Sequence, residues 1–232
     1  MIWKTRLRSE LDNLMAITAG LGPSVTLLHG VGLNADAWGG QIDTLANYFS
    51  VTAFDMPGHG SSPGLDVPSP DLSDYVTAMK HPLKGPTVVV GHSMGAMIAL
   101  KRSFNKKVVG VVALNAVYQR SKSAHDAVRK RAKELVAASN VDPRPTLKRW
   151  FDDETSTEAE MCEQLLSHVS IEEYRAAYNV FAQENGPTAE ELVALKKPAL
   201  FMTGGREPNS TPDMSIQMAN LCEMGNAVIL ED

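Results

Sequence analysis

Thr87-Val88-Val89-Val90-Gly91-His92-Ser93-Met94-Gly95-Ala96-Met97-Ile98-Ala99-Leu100 is the stretch that decides the fold. Its first half is a short apolar run rich in β-branched residues, which suits a strand buried on both faces. Its second half is helix-patterned. Between them lies Gly91-x-Ser93-x-Gly95. A serine on a sharp strand-to-helix turn, with glycines two residues away on each side so that neighbouring backbones can approach, is what a nucleophilic hydroxyl requires. The start of the following helix favours developing negative charge beside it. The bare pattern occurs by chance in many chains. Its position between strand and helix gives it meaning.

Working outward, further apolar runs end in small or turn-forming residues: 25–30 (VTLLHG), 51–55 (VTAFD), 108–115 (VVGVVALN), 199–204 (ALFMTG) and 227–231 (AVILE). Helix-patterned segments 35–48, 71–81, 94–104 and 210–221 lie between them. Alternation of this kind predicts an α/β fold: a mostly parallel central sheet, helices on both faces and right-handed crossovers. The alternation fails from Tyr118 to about Leu195, where no strand-like run occurs. Ser170-x-x-Glu173, Thr157-x-x-Glu160 and Thr188-x-x-Glu191 match capping boxes there, and Pro143, Pro145 and Pro187 punctuate the segment. The expected organisation is core 1–117, a helical cap 118–195 and returning core 196–232.

His29-Gly30-Val31-Gly32 ends the run at 25–30. The mouth of such a sheet, at the carboxyl ends of its strands, is where ligands sit. The backbone N–H groups of Val31 and Met94 are therefore the expected oxyanion hole for a tetrahedral intermediate.

HGVGLNADAW at 29–38, DMPGHGSS at 55–62, GHSMGAMIA at 91–99 and TGGREPNSTP at 203–212, in this order, resemble the α/β-hydrolase superfamily. The likeness is to its small bacterial members with a helical cap, such as enol-lactone hydrolases and carboxylesterases. It implies Ser93 as nucleophile. It also places the acid that orients the base in the loop after ALFMTG, where Glu207 stands in the position most relatives give to Asp; either carboxylate can orient a histidine. Asn115 occupies the other place where such folds keep an acid, and an amide cannot serve. In this family the base is a histidine following the last strand. The histidines at 29, 59, 81, 92, 125 and 168 all precede it. The expectation is a natural carboxyl-terminal tail beyond Asp232 that carries the base and a terminal helix. Without that base, turnover is expected to be very weak.

A serine at 93 disfavours the relatives that use an aspartate nucleophile, namely haloalkane dehalogenases and epoxide hydrolases. The expected activity is hydrolysis of a small ester or lactone, with thioesters and carbon–carbon bonds also compatible, through an acyl-enzyme. The alternative is a small-ligand-binding protein that keeps the pocket without turnover; a purely structural module has no positive feature. Trp150, Phe151 and Met97 are candidate pocket walls, with plain core packing as the competing reading. The run 129–133 (RKRAK) either attracts an acidic substrate or forms a solvated helix face, and runs of this kind are more often the second.

Composition narrows the rest. The chain has 232 residues, 44% hydrophobic and 21% charged, so it can bury a sizeable core. Its net charge of −5 gives no reason to expect nucleic acid or an anionic membrane as partner. Its two cysteines, Cys162 and Cys222, lack metal-ligand spacing and read as reduced thiols, which suits the cytoplasm. No apolar core follows the basic residues of MIWKTRLRSELDN, so no secretory signal is read there. No phosphate-cradling or dinucleotide-binding glycine pattern occurs, and no metal or organic cofactor is implied. A small-molecule substrate is the expected partner; oligomeric state is not encoded in any pattern.

Overall fold

The computed structural model describes residues 6–231. Met1 to Thr5, the start of the basic amino-terminal stretch, and Asp232 lie outside the described residues. The strands are β1 (Ser9–Leu11), β2 (Leu14–Ala19), β3 (Ser24–Leu28), β4 (Ser50–Phe54), β5 (Thr87–His92), β6 (Val108–Leu114), β7 (Ala199–Gly204) and β8 (Gly225–Leu230). They form one sheet in the order β1-β2-β4-β3-β5-β6-β7-β8. The pairs β1–β2 and β2–β4 are antiparallel; every pair from β4 to β8 is parallel. This is the expected α/β architecture, open at both edges.

The antiparallel hairpin was not legible as strand. Asp12 and Asn13, both at positive φ (51° and 65°), make its two-residue turn, the geometry in which short polar residues are tolerated. The expected helix at 35–48 also divides. A 3₁₀ turn, Ala35–Trp38, precedes α1 (Gly39–Leu45), because Gly39 and Gly40 weaken a continuous helix.

Helix α2 (Leu72–Ala78) carries a complete capping box between Asp71 and Asp74. Helix α3 (Met94–Arg102) follows Ser93 and is buried along nearly its whole length. Between β6 and β7 lie α4 (Lys122–Glu134), α5 (Arg144–Trp150), α6 (Thr157–His168), α7 (Ile171–Gln183) and α8 (Ala189–Ala194). Helix α9 (Pro212–Leu221) returns to the sheet before β8. Ser170 caps α7, and Thr188 with Glu191 forms a full capping box on α8. For α6 the cap lies one residue earlier than expected: Ser156, not Thr157, accepts from Ala159 N–H.

The helical segment is fastened where it leaves and re-enters the core. Gln119 N–H donates to Asn185 O (2.9 Å) and Arg120 N–H to Asn185 Oδ1 (2.7 Å). Arg120 Nη1 reaches the carbonyls of Phe181 and Glu184 at the end of α7, and its guanidinium sits 4.5 Å above the Phe181 ring. Burial pushes this arginine down to about 10, a cost accepted only where carbonyls and a ring compensate.

On the core side, fully buried Asp55 receives Arg8 Nε (2.6 Å), Ala35 N–H (2.8 Å) and Ser61 N–H (2.9 Å). It thereby ties the turn after β4 to the loop after β3. Among the described residues, no helix is long and apolar enough to cross a membrane.

Candidate active site

Strand β5 delivers Ser93 to the carboxyl edge of the sheet. There the backbone turns through φ 55°, ψ −117°, outside the regions that a residue with a side chain prefers. Such a conformation costs on the order of 1–3 kcal/mol and persists only when its surroundings enforce it. Ser93 N–H is fixed by Leu114 O (2.8 Å), and Ser93 O accepts from Ala96 N–H (3.0 Å) as α3 begins.

The two flanking glycines are required for a steric reason. A Cβ on Gly91 would strike Gly95 O, and one on Gly95 would strike Leu28 O and His29 O, all of them backbone atoms with nowhere to move. Gly95→Ala is accordingly expected to cost roughly 3 kcal/mol or more. In a chain of this size that lowers the melting temperature by about 6–12 °C, readable by calorimetry. An unchanged melting temperature would contradict the packing described.

The loop after β3 is shaped by two buried histidines. His29 Nε2 accepts from Met56 N–H (2.9 Å), so its Nδ1 carries the proton and donates to Gly30 O (2.7 Å). His59 Nε2 accepts from Gly32 N–H (3.1 Å), and its Nδ1 donates to Pro57 O (2.9 Å). Each ring is neutral and committed at both nitrogens. Between their anchors, the N–H groups of Val31 and Met94 donate to no protein acceptor among the described residues. Met94 is the first residue of α3, where helical N–H groups have no partner within the helix.

These histidines give the fold an acid-sensitive component. Burial, the largest influence, pushes His29 well below its ordinary 6.5; His59 and His92 are lowered for the same reason, with Glu207 pulling His92 back up. In the unfolded chain each takes up a proton near pH 6.5, while the folded ring resists. The unfolded state therefore binds more protons below that pH, and stability falls as the solution is acidified. Above it, these groups contribute no pH dependence. Urea unfolding between pH 7.5 and 5.5 is expected to show a flat upper limb, then a loss of up to about 1.4 kcal/mol per pH unit for each histidine.

Glu207 lies in the loop after β7, half-buried, and is held from both sides. Asn115 Nδ2 donates to its Oε2 (3.3 Å), while Asn209 N–H (2.8 Å) and Nδ2 (3.2 Å) donate to its Oε1. Asn115, itself at φ 50°, follows β6 and is fixed through its N–H to Met202 O (2.8 Å). That both asparagines donate to Glu207 is something sequence reasoning missed. The signal for Asn209 was its place two residues after a carboxylate, an ordinary turn spacing.

Ser93, Glu207 and Val31 share one cavity of about 280 Å³. The helical segment roofs it with Trp150, Phe151, Tyr174, Tyr178 and Phe181. Trp150 stands at the rim, still 40% exposed. Met97 does not line this cavity, contrary to expectation. It is fully packed in the core and borders a smaller gap with Leu72, Leu100 and Leu192. The reason is geometric: α3 is buried from Met94 through Leu100, so Met97 already meets the core rather than the pocket.

Cys162 also lines the cavity, but burial pushes its thiol up to about 11, so it is protonated and no competing nucleophile. The remaining histidines are placed elsewhere: His81 pairs with Asp12 (2.6 Å), His168 contacts Gln164 O (2.6 Å), and His125 lies on α4. Of the six, only His92 reaches the pocket, and no hydrogen bond joins it to Ser93 or Glu207 among the described residues.

Residues 27–231 match the alpha/beta hydrolase family; the chain belongs to that family. It is similar to (E)-2-((N-methylformamido)methylene)succinate hydrolase of Acinetobacter baylyi, 35% identical over all of this chain and 90% of that protein. Among solved structures it resembles the enol-lactonase from Burkholderia xenovorans LB400 (TM-score 0.78, 18% identity, covering 97% of this chain and 91% of that one). It also resembles E-2-(acetamidomethylene)succinate hydrolase (TM-score 0.79, 17% identity, 97% and 90%). The Acinetobacter protein is a hydrolase, which supports a hydrolytic enzyme; the two solved structures show that the fold is shared.

Proposed function

We propose that this chain is a serine hydrolase that cleaves a small ester or lactone through an acyl-enzyme on Ser93. The observation carrying the reading is the strained Ser93 turn at the floor of a roofed cavity, with a doubly anchored carboxylate, Glu207, in the same wall. In this reading Ser93 Oγ attacks the carbonyl carbon and its proton passes to a general base, whose protonated form the Glu207 carboxylate in the same wall would stabilise. The Val31 and Met94 N–H groups receive the oxyanion, the alcohol leaves with the proton, and water then cleaves the acyl-enzyme. Thioesters, carbon–carbon bonds and the amide-type carbonyls suggested by the Acinetobacter relative follow the same course at the carbonyl.

A second reading, a ligand-binding protein without turnover, draws on one observation. His29 and His59 are locked in backbone contacts, and His92 has no bond to Ser93. Incubation of the full natural chain with an uncharged fluorophosphonate separates the two. Rapid, stoichiometric labelling of Ser93 supports the enzyme. Tight ligand binding with an unlabelled serine favours the binder.

A further inference from the structure

Most of the RKRAK run on α4 is exposed, but Arg131 is not. The helical period that buries Val128 and Ala132 against α7 also turns Arg131 toward the site, where its Nε donates to Tyr178 Oη (3.0 Å). Its Nη2 lies 3.5 Å from Oδ1 of Asn209, the residue that holds Glu207. A second guanidinium, Arg149 of α5, lines the same cavity, propped by Pro145 O (2.6 Å) and Thr146 Oγ1 (3.0 Å).

Neither arginine is ion-paired with a carboxylate among the described residues, Glu207 included. A guanidinium carries five N–H donors, and these contacts leave donors of both side chains without a protein acceptor. Half-buried Arg131 and exposed Arg149 place two cations on a small cavity whose one carboxylate among the described residues, Glu207, is held by Asn115 and Asn209, and in a chain of net charge −5 this local excess is not explained by the surface as a whole. They fit a ligand that supplies the missing negative charge.

We infer that Arg131 and Arg149 form a carboxylate-recognising wall, so that the substrate is a small carboxylic acid bearing the scissile carbonyl. The inference rests on the hydrolase reading for the identity of the ligand as substrate. Planar, bidentate donors match a carboxylate. Such a wall orients the carbonyl toward Ser93 and rejects uncharged analogues of the same size, for which the guanidinium donors would stay unpaired. Arg131, through Asn209, also connects the bound anion to the support of Glu207.

The test uses the full natural chain and two probes of matched shape, succinate and uncharged succinamide, as protectants of Ser93 against a neutral fluorophosphonate. Succinate is expected to slow labelling and succinamide to leave it unchanged. Arg131→Gln and Arg149→Gln are each expected to weaken succinate roughly tenfold, Arg149→Lys less, and added salt to weaken it further. Equal protection by succinamide, or undiminished succinate affinity in the double Gln variant, overturns the inference.

If Ser93 is not labelled at all, the hydrolase reading fails. Calorimetric titration of succinate into wild type and the double variant then decides the arginine wall separately. Should Arg131→Gln fail to fold, Arg149→Gln carries the test, because its lost contacts lie within its own helix; unchanged succinate affinity there also overturns the inference.

Discussion

Ser93→Ala is expected to remove fluorophosphonate labelling completely and to lower hydrolysis of a small activated ester by roughly 10⁴–10⁶-fold. The substitution deletes one oxygen and leaves the proposed oxyanion donors, the cavity and Glu207 in place. The residual rate is then what the Val31 and Met94 N–H groups and binding alone provide. Stability is expected to move little or upward. The hydroxyl makes no hydrogen bond to the protein among the described residues, and although Ser93 is the N-cap of α3 its side chain caps no N–H there, so its loss removes no contact. The strained φ of 55° remains in either variant. A Ser93→Ala protein with wild-type esterase rates would move the chemistry to another residue.

The second large effect is expected at Glu207. Glu207→Gln keeps size but removes the charge that, in the proposed mechanism, would stabilise the protonated base. It is expected to reduce kcat/KM by about 10³–10⁴-fold, with KM for an uncharged ester little changed. A loss confined to KM would mean that Glu207 binds substrate rather than orienting a base. Glu207→Asp separates charge from reach: Asn115 and Asn209 are set for the longer side chain, so a partial loss is expected. Weakening the support instead, with Asn209→Ala, should cost less than removing the carboxylate.

The parts of the fold that were legible are those fixed by local chemistry. Strands β3 to β7 lie in the largely buried middle of the sheet and are continuous apolar runs, β8 is an equally apolar run at the sheet edge whose alternate residues are exposed, and the turn at Ser93 is written in the two glycines that its backbone contacts demand. The hairpin β1–β2 was not legible because its short, partly exposed strands lack that continuity, and the Asp12-Asn13 turn was the only cue. At the site, Ser93 and Glu207 could be named from motif position. Asn115 could be seen only as an unsuitable acid, whereas the structure gives it work as a donor to one.

The cavity wall was least legible. Which residues of 118–195 face Ser93 depends on how five helices fold back over the sheet, so Trp150 and Phe151 could be named by their aromatic character but Met97 was misplaced. Arg131 was submerged in a charged run whose average behaviour is solvation; only the packing of α4 on α7 singles it out.

The proposed chemistry is centred on one atom, Ser93 Oγ. The most direct measurement is peptide mapping by mass spectrometry after brief treatment of the full natural chain with an uncharged fluorophosphonate. A single adduct is expected, on the peptide containing Ser93, forming at a rate that Glu207→Gln sharply reduces. No adduct at Ser93, or one formed equally fast without Glu207's charge, would contradict it.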